Sequence, residues 1–431
     1  MRWAVLLYPV TAILAFFLLW LRRPEALTAP RLWALDGTVF YATYLIDGPI
    51  RSLFVPTNGF LDLIPRLLTA FFGSASAAHI PGLFATISLA GSALACAFFA
   101  LPEYRYFLRS DQVRVACCLA FAAVPFAYDE VGNLAILTWY ACVPTMLLLA
   151  LPRRGYNGRP FWFMLCAALV VACTALSAPA LIVFIPLASF KVYKGTSRVR
   201  IVSGAFLCGM IVQFMVSRVA SHTFSGTIDL PALTANILNV TAYRVVLGNL
   251  IGRFASSDLS TGHVVVLSTL TCIVALVAAL VYIETRKKKA LARRLTYIAC
   301  AAIASILITC VGSALNSDLT PMQSSDAWRD DRYLLIPIAL FYYFVASVCD
   351  DLLRAQTSEP FRALAFLALV TIAAFSNFRL PSLDNDDWAS RAPLIDAWRA
   401  ANSSGATHSA LDLPLNPPGW TLYLPPLQAA P

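Results

Sequence analysis

Charge is scarce in this chain, and the scarcity decides its class. Only 13% of the 431 residues are Asp, Glu, Lys or Arg, while 59% are hydrophobic. A soluble domain carries roughly 25% charge, so a polar coat for a water-soluble fold of this size is missing. Histidine is nearly absent: His79, His222, His263 and His408 are too scattered for a metal site. The eleven cysteines include no C-x-x-C pair and none has a histidine at zinc-ligand spacing. That excludes common zinc and thiol-redox motifs and leaves them as small apolar packing residues. Lysine is rare too, five against 27 arginines, which with the Ala-rich runs suggests a bacterial genome of high GC content. The basic run Arg286 to Arg294 lies between two apolar runs. It reads as an orientation signal that touches anionic headgroups, and nucleic acid is not expected as a partner. No internal repeat and no inverted pairing of halves is visible.

What the chain has instead is long apolar runs. They predict an all-α polytopic integral membrane protein with about eleven transmembrane helices, near 3–21, 78–101, 114–128, 133–151, 161–176, 178–190, 201–218, 262–283, 295–313, 333–349 and 363–378. The first run is longer than the apolar core of an ordinary signal peptide, so it is expected to remain as a span. Alternate loops differ in charge. Those around 102–113, 152–160, 191–200, 284–294 and 350–362, with Arg2 and Arg114, carry 19 Lys/Arg against six Asp/Glu; the remainder carries 13 against 17. The positive-inside rule places the first set, and the N-terminus, in the cytoplasm and the C-terminus outside. The expected division is a helical domain over 1–378, with a first loop at 22–77, and a small extracytoplasmic segment over 379–431.

The two short spans that meet at Ser177-Ala178-Pro179 form a hairpin whose turn must be buried or face a water-filled cavity. The first loop is aromatic-rich and carries Asp36, Asp47, Asp62, Arg51 and Arg66 between turn formers. It is expected to fold back onto the membrane surface as the front wall of a site. The spans themselves are almost free of charge, unlike those of ion-coupled transporters. The ionisable residues crowd one membrane face, where a lipid-borne group would meet an extracytoplasmic acceptor.

Four short motifs give a family resemblance. They are Trp33-Ala34-Leu35-Asp36-Gly37, Pro56 to Leu67 (PTNGFLDLIPRL), Arg332-Tyr333, and Pro417-Pro418-Gly419-Trp420. In this order they resemble bacterial polytopic glycosyltransferases of the GT-C superfamily, whose first motif reads aromatic-Ala-Glu-Asp-Gly. The resemblance implies a GT-C-like fold and a bacterial inner-membrane location. It also implies an activity: transfer of a sugar from a polyprenyl-phosphate donor to a glycan, lipid or protein acceptor. Leu35 stands where the family has Glu, so a carboxylate pair is lost; no cofactor is certain, and a divalent metal is possible but unsupported.

On this reading Asp36 is the catalytic carboxylate that accepts the acceptor's proton. Arg332, Arg66 and Tyr333 bind the donor phosphate, because planar guanidinium forks suit phosphate oxygens. Trp33, Asp62, Asp331 and Trp420 are possible substrate contacts. Each has a plainer reading. Asp36-Gly37 also suits a turn or a cap on a helix at 38–46, and Arg66 and Arg332 suit interfacial anchors. Two other classes fit the composition: a transporter or flippase for lipid-linked glycans, and a non-catalytic membrane subunit.

Overall fold

The structure is a computed structural model that describes residues 2–57, 59–124, 131–156, 158–219, 230–250, 289–315, 332–354, 357–376, 378–380, 387–407 and 409–427. It is mostly helical. The longer helices are α1 (Arg2–Arg22), α2 (Ala42–Arg51), α3 (Leu63–Phe72), α4 (Ile80–Ala97), α5 (Asp111–Ala122), α6 (Leu134–Ala150) and α7 (Phe161–Ala175). They continue with α8 (Ile185–Lys194), α9 (Ser197–Val219), α10 (Leu230–Asn239), α11 (Lys289–Leu315), α12 (Leu335–Leu353), α13 (Glu359–Ser376) and α14 (Trp388–Ser404). Each apolar run with described residues lies mainly on helix; the run at 262–283 and residues 125–128 of the run at 114–128 fall outside the described residues. Among the described residues, three helical stretches are long and apolar enough to cross a membrane: Ile80–Tyr106, Ser197–Ser217 and Arg332–Asp351. Others are short for the task. The 15 residues of α7 rise about 22 Å, against roughly 30 Å of hydrocarbon.

Burial separates the helices into inner and outer ones. The central helix α6 is apolar on all sides and buried along nearly its whole length, as expected of a helix surrounded by others. The outer helices keep one apolar face uncovered. Leu6, Val10, Ile13, Phe17 and Leu21 line one side of α1, while Ala12, Ala15 and Leu19 are buried on the other. Phe161, Trp162, Leu165 and Leu169 do the same on α7, and Ile211, Val212 and Met215 on α9. Exposed apolar area of this extent marks a surface made for lipid or for another protein.

The first loop and the C-terminal segment form one unit over the ends of these helices. They share a hydrophobic core of Leu32, Tyr41, Leu45, Phe84, Trp388, Ile395, Trp398, Leu413 and Leu422. Trp388 Nε1 donates to Ala77 O (2.9 Å), and Arg399 donates to Ala75 O (2.7 Å). Helix α14 opens the C-terminal segment at Trp388. Beyond that helix the all-α expectation fails. Leu411–Leu415 (β1) and Trp420–Leu424 (β2) form an antiparallel hairpin. Its cause is the period-two pattern of Leu411, Leu413 and Leu415, all buried, with Asp412 and Pro414 outward. The loop's own helices α2 and α3, with the turn between them, present Ile46, Ile50, Phe54 and Phe71 outward, an apolar underside consistent with a segment lying on a membrane.

Candidate active site

The first motif is built against the C-terminal hairpin. Trp33 pairs with Asn416, and Ala34 N–H donates to Asn416 O at 2.5 Å. The chain then enters a short π-helix, Asp36–Tyr41. Gly37 lies under Leu415: a Cβ there would fall 2.3 Å from Leu415 Cδ1. Two motifs nearly 400 residues apart in the chain are thus packed on each other.

The Asp36 side chain turns inward to the start of α6. Its Oδ2 accepts from Leu134 N–H (2.7 Å) and its Oδ1 from Ala135 N–H (3.1 Å). Asn133 caps the same helix by accepting from Ile136 N–H at 3.0 Å. The first three amides of α6 therefore all have partners, two of them from an acid 98 residues away. A carboxylate is well placed there, at the positive end of the helix dipole. Asp36 is only 2% exposed. Burial pushes its carboxyl up to about 7, against the pull of the two amides. It caps a helix, as the plainer reading allowed, but a distant one and not its own.

Beside this cap, Arg23, Glu25, Arg31, Trp33 and Asn133 line a small pocket. Trp33 is buried, with the Arg23 guanidinium 5.5 Å from its ring centre. Its place is therefore a packed wall, with the pocket on one side.

The second motif forms a separate site. Thr57 and Phe60 close a tight turn through paired backbone bonds of 2.7 and 2.8 Å. Gly59 sits there at φ +84°, where glycine pays no steric penalty. Asp62 comes next among the turn's special residues, at φ +48°, in the left-handed region unusual for a side-chain-bearing residue. It stands at the N-cap of α3 yet makes no capping bond. Ile64 N–H instead donates to Ser177 Oγ (2.9 Å), from the Ser-Ala-Pro turn. Helix α9 braces the other side: Leu61 N–H donates to Gln213 Oε1 (3.4 Å) and Ser217 Oγ to Gly59 O (2.8 Å). The Gln213 Nε2 is buried without a partner among the described residues.

Arg66 is 1% exposed. Its Nε donates to Leu61 O (2.8 Å), Nη1 to Ser52 O (2.8 Å) and Nη2 to Thr57 Oγ1 (2.6 Å). Its face lies over Phe40, 5.6 Å from the ring centre. Each guanidinium nitrogen is engaged in folding the loop, so Arg66 is a bracket here and its position does not suit direct contact with a donor.

Arg332 and Tyr333 stand just before α12. The Arg332 guanidinium lies 5.1 Å from the Tyr333 ring centre, and Trp139 of α6 meets that ring edge-on at 4.8 Å. The charges of Arg66 and Arg332 both act on Asp62 and lower its carboxyl, while burial raises it further, to about 7. Charges from the second and third motifs thus act on the same carboxylate. As a residue Asp62 is half-buried, unlike the fully buried Asp36.

Asp331 lies outside the described residues. Trp420 opens β2 and is 39% exposed. Sequence reasoning missed Trp139 and Gln213. Gln213 had a signal, a lone amide inside an apolar run; Trp139 had none beyond being aromatic. Among the described residues, no three of His, Cys, Asp and Glu converge where they would hold a metal ion. No family model, curated protein or solved structure matches this chain.

Proposed function

We propose that this chain is an integral membrane glycosyltransferase of the GT-C type. It takes a sugar from a polyprenyl-phosphate donor and passes it to an extracytoplasmic glycan, lipid or protein acceptor. The observation that supports this reading best is Asp62, half-buried and without a hydrogen-bond partner among the described residues, in the combined field of Arg66 and Arg332. Glycosyl transfer from a phosphate needs one carboxylate and one centre of positive charge. The leaving group is already acidic, so no second acid is required.

Arg332 is assigned to the donor phosphate. A guanidinium laid on an aromatic ring keeps its donors in one plane, the arrangement that suits phosphate oxygens. Arg66 contributes charge from behind the loop. The apolar undersides of α2 and α3 and the uncovered faces of α1, α7 and α9 suit delivery of a lipid carrier from the bilayer. In this scheme about eleven spans cross a bacterial inner membrane, with the N-terminus in the cytoplasm and Asp62 outside.

The test is transfer from radiolabelled polyprenyl-phosphate sugars in membranes that hold the chain. Wild type is expected to transfer label. Arg332→Ala and Arg332→Lys are both expected to lose donor use, because an ammonium cannot replace a planar fork. Full activity in Arg332→Lys would reduce the residue to a point charge or an interfacial anchor. No transfer by the wild type from any such donor would overturn the function itself.

A further inference from the structure

We propose that Asp62, and not the motif acid Asp36, is the general base that takes the proton from the acceptor hydroxyl. This rests on the glycosyl-transfer reading above and departs from the residue that the family resemblance assigns.

The two carboxylates differ in what holds them. Both oxygens of Asp36 accept amides of α6, and the side chain is sealed from solvent. Asp62 has no hydrogen bond and no ion pair to either oxygen among the described residues. It does not cap α3, whose Ile64 amide is served by Ser177. A non-glycine residue in the left-handed region costs the fold something, and such residues cluster at functional sites. Here the strained residue carries a carboxylate that the fold leaves unused.

The surroundings suit proton transfer. Arg66 is fixed by three hydrogen bonds, so its charge stays at a constant place behind Asp62. Arg332 acts from the side of α12. Burial against these two charges leaves the Asp62 carboxyl at about 7, near the value at which a base is both ionised and able to take a proton.

In the transfer step the acceptor oxygen forms a bond to the anomeric carbon, and the bond from that carbon to the phosphate oxygen breaks. Its electron pair leaves with the polyprenyl phosphate, opposite Arg332. The hydroxyl proton goes to an Asp62 oxygen, which later releases it to water.

Asp62→Asn tests this directly. Asn is among the residues that best tolerate a left-handed φ, and no hydrogen bond is lost, so the variant should accumulate normally. Turnover is expected to fall about 100- to 10,000-fold. Binding of the radiolabelled donor should hold or tighten, since a negative charge near its phosphate is gone. Asp62→Gly takes the same φ without strain and leaves room for a small acid. Added formate should restore its turnover at least about tenfold, part of the general-base contribution. In the wild type, activity should fall as pH drops through about 7, and Asp62→Gly without formate should lack that limb. Asp36→Asn should lose abundance and thermal stability, with a smaller change in turnover per folded molecule. Wild-type turnover in Asp62→Asn, or no formate rescue in Asp62→Gly that still binds donor, would overturn the assignment while an active wild type keeps the function. An inactive wild type would instead overturn the function, and the assignment with it.

Discussion

Asp36 and Asp62 lie in the same loop, and burial pushes both carboxyls up to about 7, yet they face opposite situations. Asp36 has a donor for each oxygen and no solvent. Asp62 is half-buried, with two arginine charges acting on it and no hydrogen-bond donor among the described residues. The same contrast runs through the loop as a whole. The half that begins with Trp33 is locked to the C-terminal hairpin and the start of α6. The half that ends with Arg66 is held by its own arginine, by Ser177 and by α9, and these contacts leave the Asp62 carboxylate without a hydrogen bond among the described residues. Residue type and proximity to a motif do not decide between holding a fold and doing chemistry. What decides is whether the side chain's hydrogen-bonding capacity is already used by the protein.

The sharpest way to break this comparison is at Arg66. If it is a bracket, Arg66→Ala strands Leu61 O, Ser52 O and Thr57 Oγ1 and should cost about 3 kcal/mol or more, at roughly 1–3 per stranded buried group. Thermal denaturation in detergent would read this as a large drop in melting temperature and poor accumulation. Normal stability with weakened donor binding would instead return Arg66 to the phosphate. A smaller effect is expected at Asp36. Asn offers one acceptor where two amides need one each, so one N–H of α6 would face an NH2 group. The expected cost is about 1–3 kcal/mol, and Asp36→Ala should cost more. Unchanged melting in Asp36→Asn would mean that the cap contributes little and that Asp36 is kept for another reason.

Much of the fold was legible in the sequence and some was not, for identifiable reasons. Helix positions came from apolar runs, because lipid-facing and helix-facing surfaces both demand apolar residues. The break at Ser177-Ala178-Pro179 was visible, with burial of its turn as one of two alternatives, though not that Ser177 would serve α3. The cap role of Asp36 was visible only in part. A local cap needs the helix to begin directly after it, and here the helix begins at Leu134. The hairpin was hidden by Pro414, Pro417 and Pro418, since proline argues against a strand. On a two-stranded ribbon every strand is an edge, and Pro414 is accommodated with its side chain outward. The left-handed backbone of Asp62 left no mark in the sequence.

The gentlest test concerns the contact that joins the two ends of the chain. Gly37 does not need glycine for its backbone. It needs the space, because a Cβ would meet Leu415 Cδ1 at 2.3 Å and Leu32 Cδ2 at 2.9 Å. Both are tips of flexible side chains, so Gly37→Ala should cost only about 1 kcal/mol, the low end for overpacking. The strain should appear first in the hairpin, as faster proteolysis after residue 405, with the α6 cap affected less. Leu415→Ala should weaken the hairpin by a different route, through a cavity. Combined, the added methyl partly fills the space that the leucine vacated, so the double variant should be more stable than the sum of the two losses, by about 0.5 kcal/mol or more. Strict additivity would mean that Gly37 and Leu415 do not share this contact. The docking of the C-terminal hairpin would then rest on the Trp33–Asn416 pairing and the α14 contacts alone.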